Sequence, residues 1–162
     1  MEKPNVTIYT DGAARGNPGP GGYGVVLMSG KRRKELSAGY RKTTNNRMEL
    51  LAVIKALEAL KIEGSNVDIY TDSKYVCEAV EEGWVFTWEK KQFKKKKNRD
   101  LWLRFLKLYR KHKVKFHWVK GHSDVKENER CDKLATQASK AENLLVDETY
   151  ENEQKEANNT LF

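Results

Sequence analysis

Alternating apolar and polar positions predict five strands along the chain. Near the start, Val6, Ile8 and Thr10 alternate with Thr7 and Tyr9, and successive side chains of a strand point to opposite faces of a sheet. The predicted strands cover residues 5–11, 23–28, 35–41, 67–70 and 114–118. Because only a short turn separates the second strand from the third, the first three strands predict an antiparallel meander.

Apolar residues spaced three and four apart predict helices between and after these strands. The first helix opens after Thr44 or Asn45, either of which can cap it, and continues to Leu60. The predicted helices cover residues 45–60, 74–81, 101–112 and 127–141. Strands and helices mixed in this order, in a chain of 162 residues, predict one α/β domain.

Glycines and prolines interrupt the pattern directly after the first strand. Five glycines and two prolines fall within residues 12–22. They disfavour regular structure, because glycine adopts positive φ and proline lacks an N–H donor. We therefore expect the strand to end at Asp11 and to be followed by a loop that can approach a ligand closely. An ordinary Asp-Gly turn is the alternative.

Carboxylates recur at positions where ligands bind in α/β sheets. Asp11 in T-D-G and Asp72 in T-D-S both end a predicted strand, and ligands bind at the carboxyl ends of adjacent parallel strands. Glu49 lies on the apolar stripe of the first helix, and Asp132 flanks the stripe of the last one. The alternatives are an ordinary helix N-cap for Asp72 and helix-dipole stabilisation for Glu49.

Charge is distributed unevenly along the chain. The net charge is +8, and residues 142–162 contribute −5, so residues 1–141 carry +13. Basic surface binds phosphates regardless of sequence, which makes a polyanion the leading partner, although solubility alone also explains such a charge. Within residues 83–99, six lysines are interleaved with Trp84, Trp88 and Phe93. Cations beside aromatic rings are typical of nucleic-acid binding, and a solvated basic loop is the alternative.

The remaining composition argues against several classes of protein. The mean hydropathy is −0.82, no apolar run is long enough to span a membrane, and the N-terminus lacks the apolar segment of a secretion signal. We therefore expect a cytoplasmic protein with no membrane partner. Cys77 and Cys131 are too few for a disulfide framework and are expected to be small buried groups. Zinc ligation by His117, His122 and Cys131 does not match the usual spacing.

Four motifs together resemble one known family. The chain contains, in this order, TDGAARGNPGPGG, TTNNRMEL, YTDSKYV and WVKGHSDVKENERCDKLA. At these separations they are similar to the bacterial ribonuclease HI family (ribonuclease H, type 1), over about residues 4–140. The resemblance implies the ribonuclease H fold, a five-stranded mixed sheet in the order 3-2-1-4-5 flanked by helices. It also implies a monomeric endonuclease that hydrolyses the RNA strand of RNA–DNA hybrids and leaves 5′-phosphate and 3′-hydroxyl ends.

The same resemblance implies the residues of the site. Its metal-binding carboxylates fall on Asp11, Glu49, Asp72 and Asp132, which would hold two Mg²⁺ ions that Mn²⁺ can replace. His122 corresponds to a loop histidine that assists proton transfer or product departure. The substrate-binding residues are Asn17, Thr44, Asn45, Asn46, Lys74, Trp84, Trp88, Lys90, Lys91, Lys94, Lys95, Lys96, Lys97 and Asn98.

Some features depart from the family pattern. Val125 stands where a second histidine is frequent, and Lys74 stands where a glutamine is frequent. The basic protrusion, residues 83–99, is shorter than in the best-known bacterial members. A non-catalytic nucleic-acid-binding module is one rival interpretation, but such a module should lose carboxylates, and all four are present. An integrase-like or junction-cutting nuclease is another, against which the tryptophan-containing protrusion and the NNRMEL helix argue.

The resemblance ends before the acidic C-terminal segment. We expect residues 1–141 to form the ribonuclease H catalytic domain and residues 142–162 to form an acidic tail. The composition of this tail favours disorder. Our hypothesis is that it instead folds back along the basic body, with Leu161 and Phe162 docked on an apolar spot.

Overall fold

The computed structural model describes residues 2–121 and 125–159. A five-stranded sheet in the order β3-β2-β1-β4-β5 forms its centre, which confirms the predicted fold class. The strands are β1 Asn5–Ala14, β2 Gly19–Ser29, β3 Arg32–Thr43, β4 Asn66–Thr71 and β5 Lys113–Trp118. Strands β1, β2 and β3 pair antiparallel, while β4 pairs parallel with both β1 and β5. The carboxyl end of β4 at Thr71 therefore lies beside Thr10 of β1, the residue before Asp11.

Helices cover the sheet and extend beyond the predicted set. They are α1 Asn45–Glu58, α2 Lys74–Glu81, α3 Trp84–Lys90, α4 Arg99–Tyr109, α5 Lys126–Ser139 and α6 Glu148–Asn159. Thr44 caps α1, because its hydroxyl accepts the Arg47 backbone N–H at 3.2 Å. The core lies between the sheet and α1 and α4, where Ile54, Trp102 and Phe105 are fully buried. None of the described helices is both long and apolar enough to cross a membrane.

The prediction that β1 ends at Asp11 is wrong. β1 continues to Ala14, and β2 already begins at Gly19, with Asp11 paired to Gly24. Several of the glycines thus lie inside strands, where they leave room for a helix. A side chain at Gly22 would approach the backbone oxygen of Ala135 in α5 to 2.5 Å. This non-local packing, which lets α5 lie directly on the sheet, explains the glycines better than a loop does.

The basic segment between α2 and α4 is folded more tightly than predicted. Trp84 to Lys90 form a helix, and Phe93, expected among the nucleic-acid-binding aromatic residues, is instead buried with 4% of its surface exposed. Trp88 is half-buried and packs edge-on against Trp102, with ring centroids 5.9 Å apart. Phe93 and Trp88 therefore anchor the segment to the core, while the lysines between them stay exposed.

The C-terminal segment is ordered and folds back on the body as far as residue 159. Leu145 donates its backbone N–H to the Gly39 carbonyl and accepts the Arg41 N–H, both at 2.9 Å, along the edge of β3. The guanidinium of Arg47, only 2% exposed, pairs with Asp147 at 2.7 Å. These two anchors hold α6 in place. The predicted docking of Leu161 and Phe162 lies outside the described residues.

We predict that the buried ion pair contributes most of the stability of this segment. Asp147→Ala leaves Arg47 with Asp100 as its carboxylate partner, at 2.8 Å, so urea unfolding should show a loss of about 2–4 kcal/mol. Glu151→Ala is the control, because it breaks a pair with Arg41 whose side chain is 57% exposed, and solvent screening makes such pairs weak. Equal losses in the two variants would contradict the assignment.

Candidate metal centre and nucleic-acid cleft

Three carboxylates meet beside the carboxyl end of β4, where its pairing with β1 stops. Oxygen atoms of Asp11, Glu49 and Asp72 all lie within 4.8 Å of one another. They line a cleft of about 400 Å³, and Asp132 of α5 lines the same cleft. We call this the carboxylate cleft. The four carboxylates that the motifs predict as metal ligands therefore come from four different elements and meet in one place.

Gly12 allows Glu49 to come beside Asp11. A side chain at Gly12 would approach the carbonyl carbon of Met48 to 2.3 Å and the backbone nitrogen of Glu49 to 2.4 Å. The first turn of α1 can therefore rest directly on β1 only because this residue is glycine. The Gly12 N–H also donates to Asp11 Oδ1 at 2.9 Å, which fixes the carboxylate on β1.

Asp72 is not the N-cap of α2. Ser73 takes that role, since its hydroxyl accepts the Val76 N–H at 3.2 Å. The capping alternative for Asp72 is therefore wrong, and its carboxylate belongs to the carboxylate cleft. The indole N–H of Trp118 donates to the Asp72 carbonyl at 3.1 Å, so β5 helps to fix the backbone at this position.

Burial and like charges both disfavour ionisation in this cluster. Burial, together with the neighbouring charges of Asp72 and Asp132, raises the pKa of Asp11 to about 7. Burial and the charges of Asp11 and Asp72 raise the pKa of Glu49 well above its ordinary value. Among the described residues, no group donates a hydrogen bond to the buried Oε1 of Glu49. Crowded oxygen donors with an unpartnered buried oxygen fit a hard divalent cation, whose charge would favour the ionised carboxylates.

Asn128 lines the carboxylate cleft, although no motif pointed to it as a site residue. It is only 4% exposed, and its Oδ1 has no hydrogen-bond partner in the described part of the chain. Asn128 precedes Asp132 by four residues on α5, which places both side chains on one helix face. That spacing is the signal by which the sequence could have indicated it.

His122 lies outside the described residues, so its predicted position is untested. Its neighbour Gly121 is described, and a side chain there would come within 2.9 Å of Asp72 Oδ2. The chain therefore passes close to the carboxylate cleft at the residue before His122.

A second cleft, of about 560 Å³, collects several predicted substrate-binding residues. Two sides of it are formed by the β1–β2 turn with the start of α1, and by the end of the basic segment. The predicted substrate-binding residues on these two sides are Asn17, Thr44, Asn46, Lys96, Lys97 and Asn98. We call this the basic cleft. Asn46 borders both clefts, so the first turn of α1 separates them.

Hydrogen bonds hold this turn of α1 against the β1–β2 turn. Asn45 donates its backbone N–H to Asn17 Oδ1 at 3.0 Å, and its own Oδ1 accepts the Ala14 N–H at 2.5 Å. Asn98 is held as well, since its Oδ1 accepts from Arg47 at 3.3 Å and its Nδ2 donates to the Tyr75 hydroxyl at 3.1 Å. The edges of the basic cleft are therefore fixed before any ligand binds.

The other predicted substrate-binding residues lie outside the basic cleft. Lys74 borders the carboxylate cleft, with its Nζ 5.1 Å from the ring centroid of Trp118. Trp84 is 46% exposed, and Lys96 lies 5.0 Å above the ring of Trp88. The predicted substrate-binding lysines that line neither cleft are Lys90, Lys91, Lys94 and Lys95, and all four are exposed.

Comparison of this sequence with protein families and known proteins identifies the family to which the chain belongs. The family model described as RNase H matches residues 3–140. The chain belongs to the RNase H family. A Ribonuclease H of Desulforamulus reducens is 58% identical over 147 residues, which cover 88% of this chain and 92% of that protein. A Ribonuclease H of Trichodesmium erythraeum is 54% identical over 155 residues, covering 93% and 98%. The resemblance stated from the four motifs, and the prediction of a ribonuclease H enzyme, are confirmed.

Solved structures of the RNase H family share the fold. LC9-RNase H1, a type 1 RNase H with the type 2 active-site motif, superposes with a TM-score of 0.78 at 31% identity, over 86% of this chain and 74% of that one. LC11-RNase H1, solved in complex with RNA/DNA hybrid, superposes with a TM-score of 0.60 at 29% identity, over 82% and 95%. The ribonuclease H fold prediction is thereby confirmed.

We predict that Asp11→Asn stabilises the metal-free protein, and does so more strongly as pH rises. Between about pH 4 and 7 the folded carboxyl keeps a proton that the unfolded chain has lost, so this group makes stability fall with rising pH. Asparagine does not titrate. Denaturant unfolding in a chelator should show a gain of the order of 2 kcal/mol at pH 8.

The same variant at pH 4 is the internal control, because there the Asp11 carboxyl is protonated in the folded protein and the gain should nearly vanish. Added Mg²⁺ should stabilise the parent protein more than the variant. A gain that is equal at both pH values would contradict the electrostatic explanation.

Proposed function

We propose that this chain is an endonuclease that hydrolyses the RNA strand of RNA–DNA hybrids and leaves 5′-phosphate and 3′-hydroxyl ends. Three carboxylates within 4.8 Å of one another, beside a cleft that is lined by cations, carry the proposal. Membership of the RNase H family and the likeness to a relative that was solved with an RNA/DNA hybrid support it. We further propose a monomeric cytoplasmic enzyme, with its catalytic domain in residues 1–141.

Asp11, Glu49, Asp72 and Asp132 would hold two Mg²⁺ ions, which Mn²⁺ can replace. Bound there, the cations supply stabilisation for the negative charge that develops on the entering water and on the departing 3′ oxygen. The carboxylates hold their positions because a strand end, a helix resting on Gly12 and the capped start of α2 fix their backbones. The raised pKa values of Asp11 and Glu49 in the metal-free protein make cation binding release protons near neutral pH.

His122 would assist proton transfer or product departure without binding metal. His122→Ala should therefore lower the rate much less than loss of Asp11 does and should leave metal affinity unchanged. Equal losses at the two positions would contradict this accessory role.

The basic cleft would take the backbone of the DNA strand. Thr44 and Asn98 offer a hydroxyl and an amide at its edge, and Lys96 and Lys97 supply positive charge. Asn17, Asn45 and Asn46 would contact the 2′-hydroxyls that only the RNA strand carries. Trp84, which is 46% exposed, would pack against sugars, and so would the half-buried Trp88.

One assay tests the proposed reaction. Labelled RNA–DNA hybrid, duplex RNA and duplex DNA are each incubated with the protein in Mg²⁺, in Mn²⁺ and in a chelator. We expect cleavage of the hybrid alone, internal cuts, and products that a ligase joins without prior phosphorylation. Metal-independent cleavage, or equal cleavage of all three duplexes, would refute the proposal.

We predict that Asp11→Asn and Asp72→Asn each abolish cleavage while hybrid binding persists. A loss of at least about a thousandfold in rate corresponds to about 4 kcal/mol of transition-state stabilisation. Single-turnover kinetics measure the rate, and a filter-binding assay measures the affinity. Asp68→Asn is a control outside the carboxylate cleft, because Asp68 of β4 contacts His117 of β5 at 2.7 Å. This variant should stay active. Retention of a tenth of the activity by either cleft variant would falsify the metal-site assignment.

We also predict that replacing Lys94, Lys95, Lys96 and Lys97 together by alanine weakens substrate binding. KM for hybrid should rise and its salt dependence should flatten, by a little under about one log–log unit for each phosphate that the protein no longer neutralises. Turnover at saturation should largely persist, because these side chains lie outside the carboxylate cleft. An unchanged salt slope would show that the lysines form a solvated face only.

A further inference from the structure

Helix α6 forms a side of the basic cleft that the family motifs do not include. Tyr150, Glu153 and Gln154 line this cleft together with the end of the basic segment. The family match ends at residue 140, so these residues belong to the part of the chain beyond it. The cleft that the proposed function assigns to the DNA backbone therefore has an acidic wall on one side.

This wall is held firmly in place. Asp147 pairs with Arg47 at 2.7 Å, accepts the Thr43 hydroxyl at 2.7 Å, and so ties the start of α6 to the core. Glu151 adds a two-pronged pair with Arg41, at 2.9 and 2.8 Å. Glu153 follows two residues later on the same short helix, so its backbone position beside the cleft is well defined.

Glu153 is the acidic residue on a lining that is otherwise cationic or neutral. Lys96, Lys97 and Arg99 line the same cleft, and Glu153 forms no ion pair with any residue in the described ranges. A phosphate that enters the cleft meets three cations and this one exposed carboxylate. The carboxylate must repel the phosphate and must attract the same lysines that would bind it.

We propose that α6 is a wall of the DNA-strand cleft and that Glu153 is a residue of this wall which weakens the binding of phosphate backbones in the cleft. The inference rests on the proposed function, since it needs a nucleic-acid backbone in the basic cleft. Attraction by lysines is the same for any polyanion. A carboxylate that reduces this shared attraction lowers the affinity for hybrid and for other duplexes alike.

Glu153→Gln tests the inference in the full-length chain, because it removes the charge and keeps the shape. KM for hybrid should fall about two- to fivefold with kcat unchanged, and the log–log salt slope should steepen by up to about one unit. Duplex DNA and duplex RNA should become stronger competitive inhibitors by a similar factor. Glu153→Lys should move all three quantities further in the same direction.

Glu142→Gln is the matched control, because the substitution changes the net charge by the same amount as Glu153→Gln does. Glu142 is exposed and lines neither cleft. Melting temperatures close to that of the parent protein will show that the variants are folded. An unchanged KM and salt slope in Glu153→Gln, or an equal change in Glu142→Gln, would overturn the inference while hybrid cleavage by the parent protein stands. Failure of the parent protein to cleave hybrid would instead refute the proposed function.

Discussion

Repulsion among Asp11, Glu49 and Asp72 is the constraint on which the candidate metal centre depends. Their oxygens lie within 4.8 Å of one another, where burial and like charges both favour the protonated forms. Such a cluster forms only if the surrounding fold fixes each backbone segment separately. The paired strands β1 and β4, the contact of α1 with Gly12 and the Ser73 cap do this. The fold thus holds the carboxyl groups close together although their ionised forms repel one another, and a bound cation would relieve that repulsion.

The buried guanidinium of Arg47, in contrast, is surrounded by groups of opposite charge. It is 2% exposed but fully compensated, since Asp100 and Asp147 both pair with it at 2.7 to 2.8 Å. It also donates to Asn98 at 3.3 Å. One side chain on α1 thereby connects the basic segment, the C-terminal helix and the core. Because Glu49 follows Arg47 by two residues, the same turn of α1 contributes both to the paired guanidinium and to the cluster of carboxylates that repel one another.

Periodicity predicted the five strands and four of the six helices in the described part of the chain, and the motifs indicated the four carboxylates that line the carboxylate cleft. The failures all involve contacts between distant segments. Glycines in β2 were expected in a loop, since nothing nearby in the sequence shows that α5 needs their space. Phe93 has the composition of a binding residue, and only tertiary packing buries it. The polar sequence of α6 gives no sign that Arg47 and the edge of β3 will anchor it.

The first turn of α1 fixes the spacing between the two clefts. Asn46 borders both of them, and Asn45 ties the turn to Ala14 and Asn17 through hydrogen bonds between backbone N–H groups and side-chain amide oxygens. Neither cleft can move relative to the other without breaking these bonds. Under the proposed function, a duplex must then present one strand to the carboxylates and the other to the lysines at a separation that the protein sets. Since RNA-containing and all-DNA duplexes differ in groove width and backbone geometry, this rigid spacing selects among them by shape, before any 2′-hydroxyl is contacted.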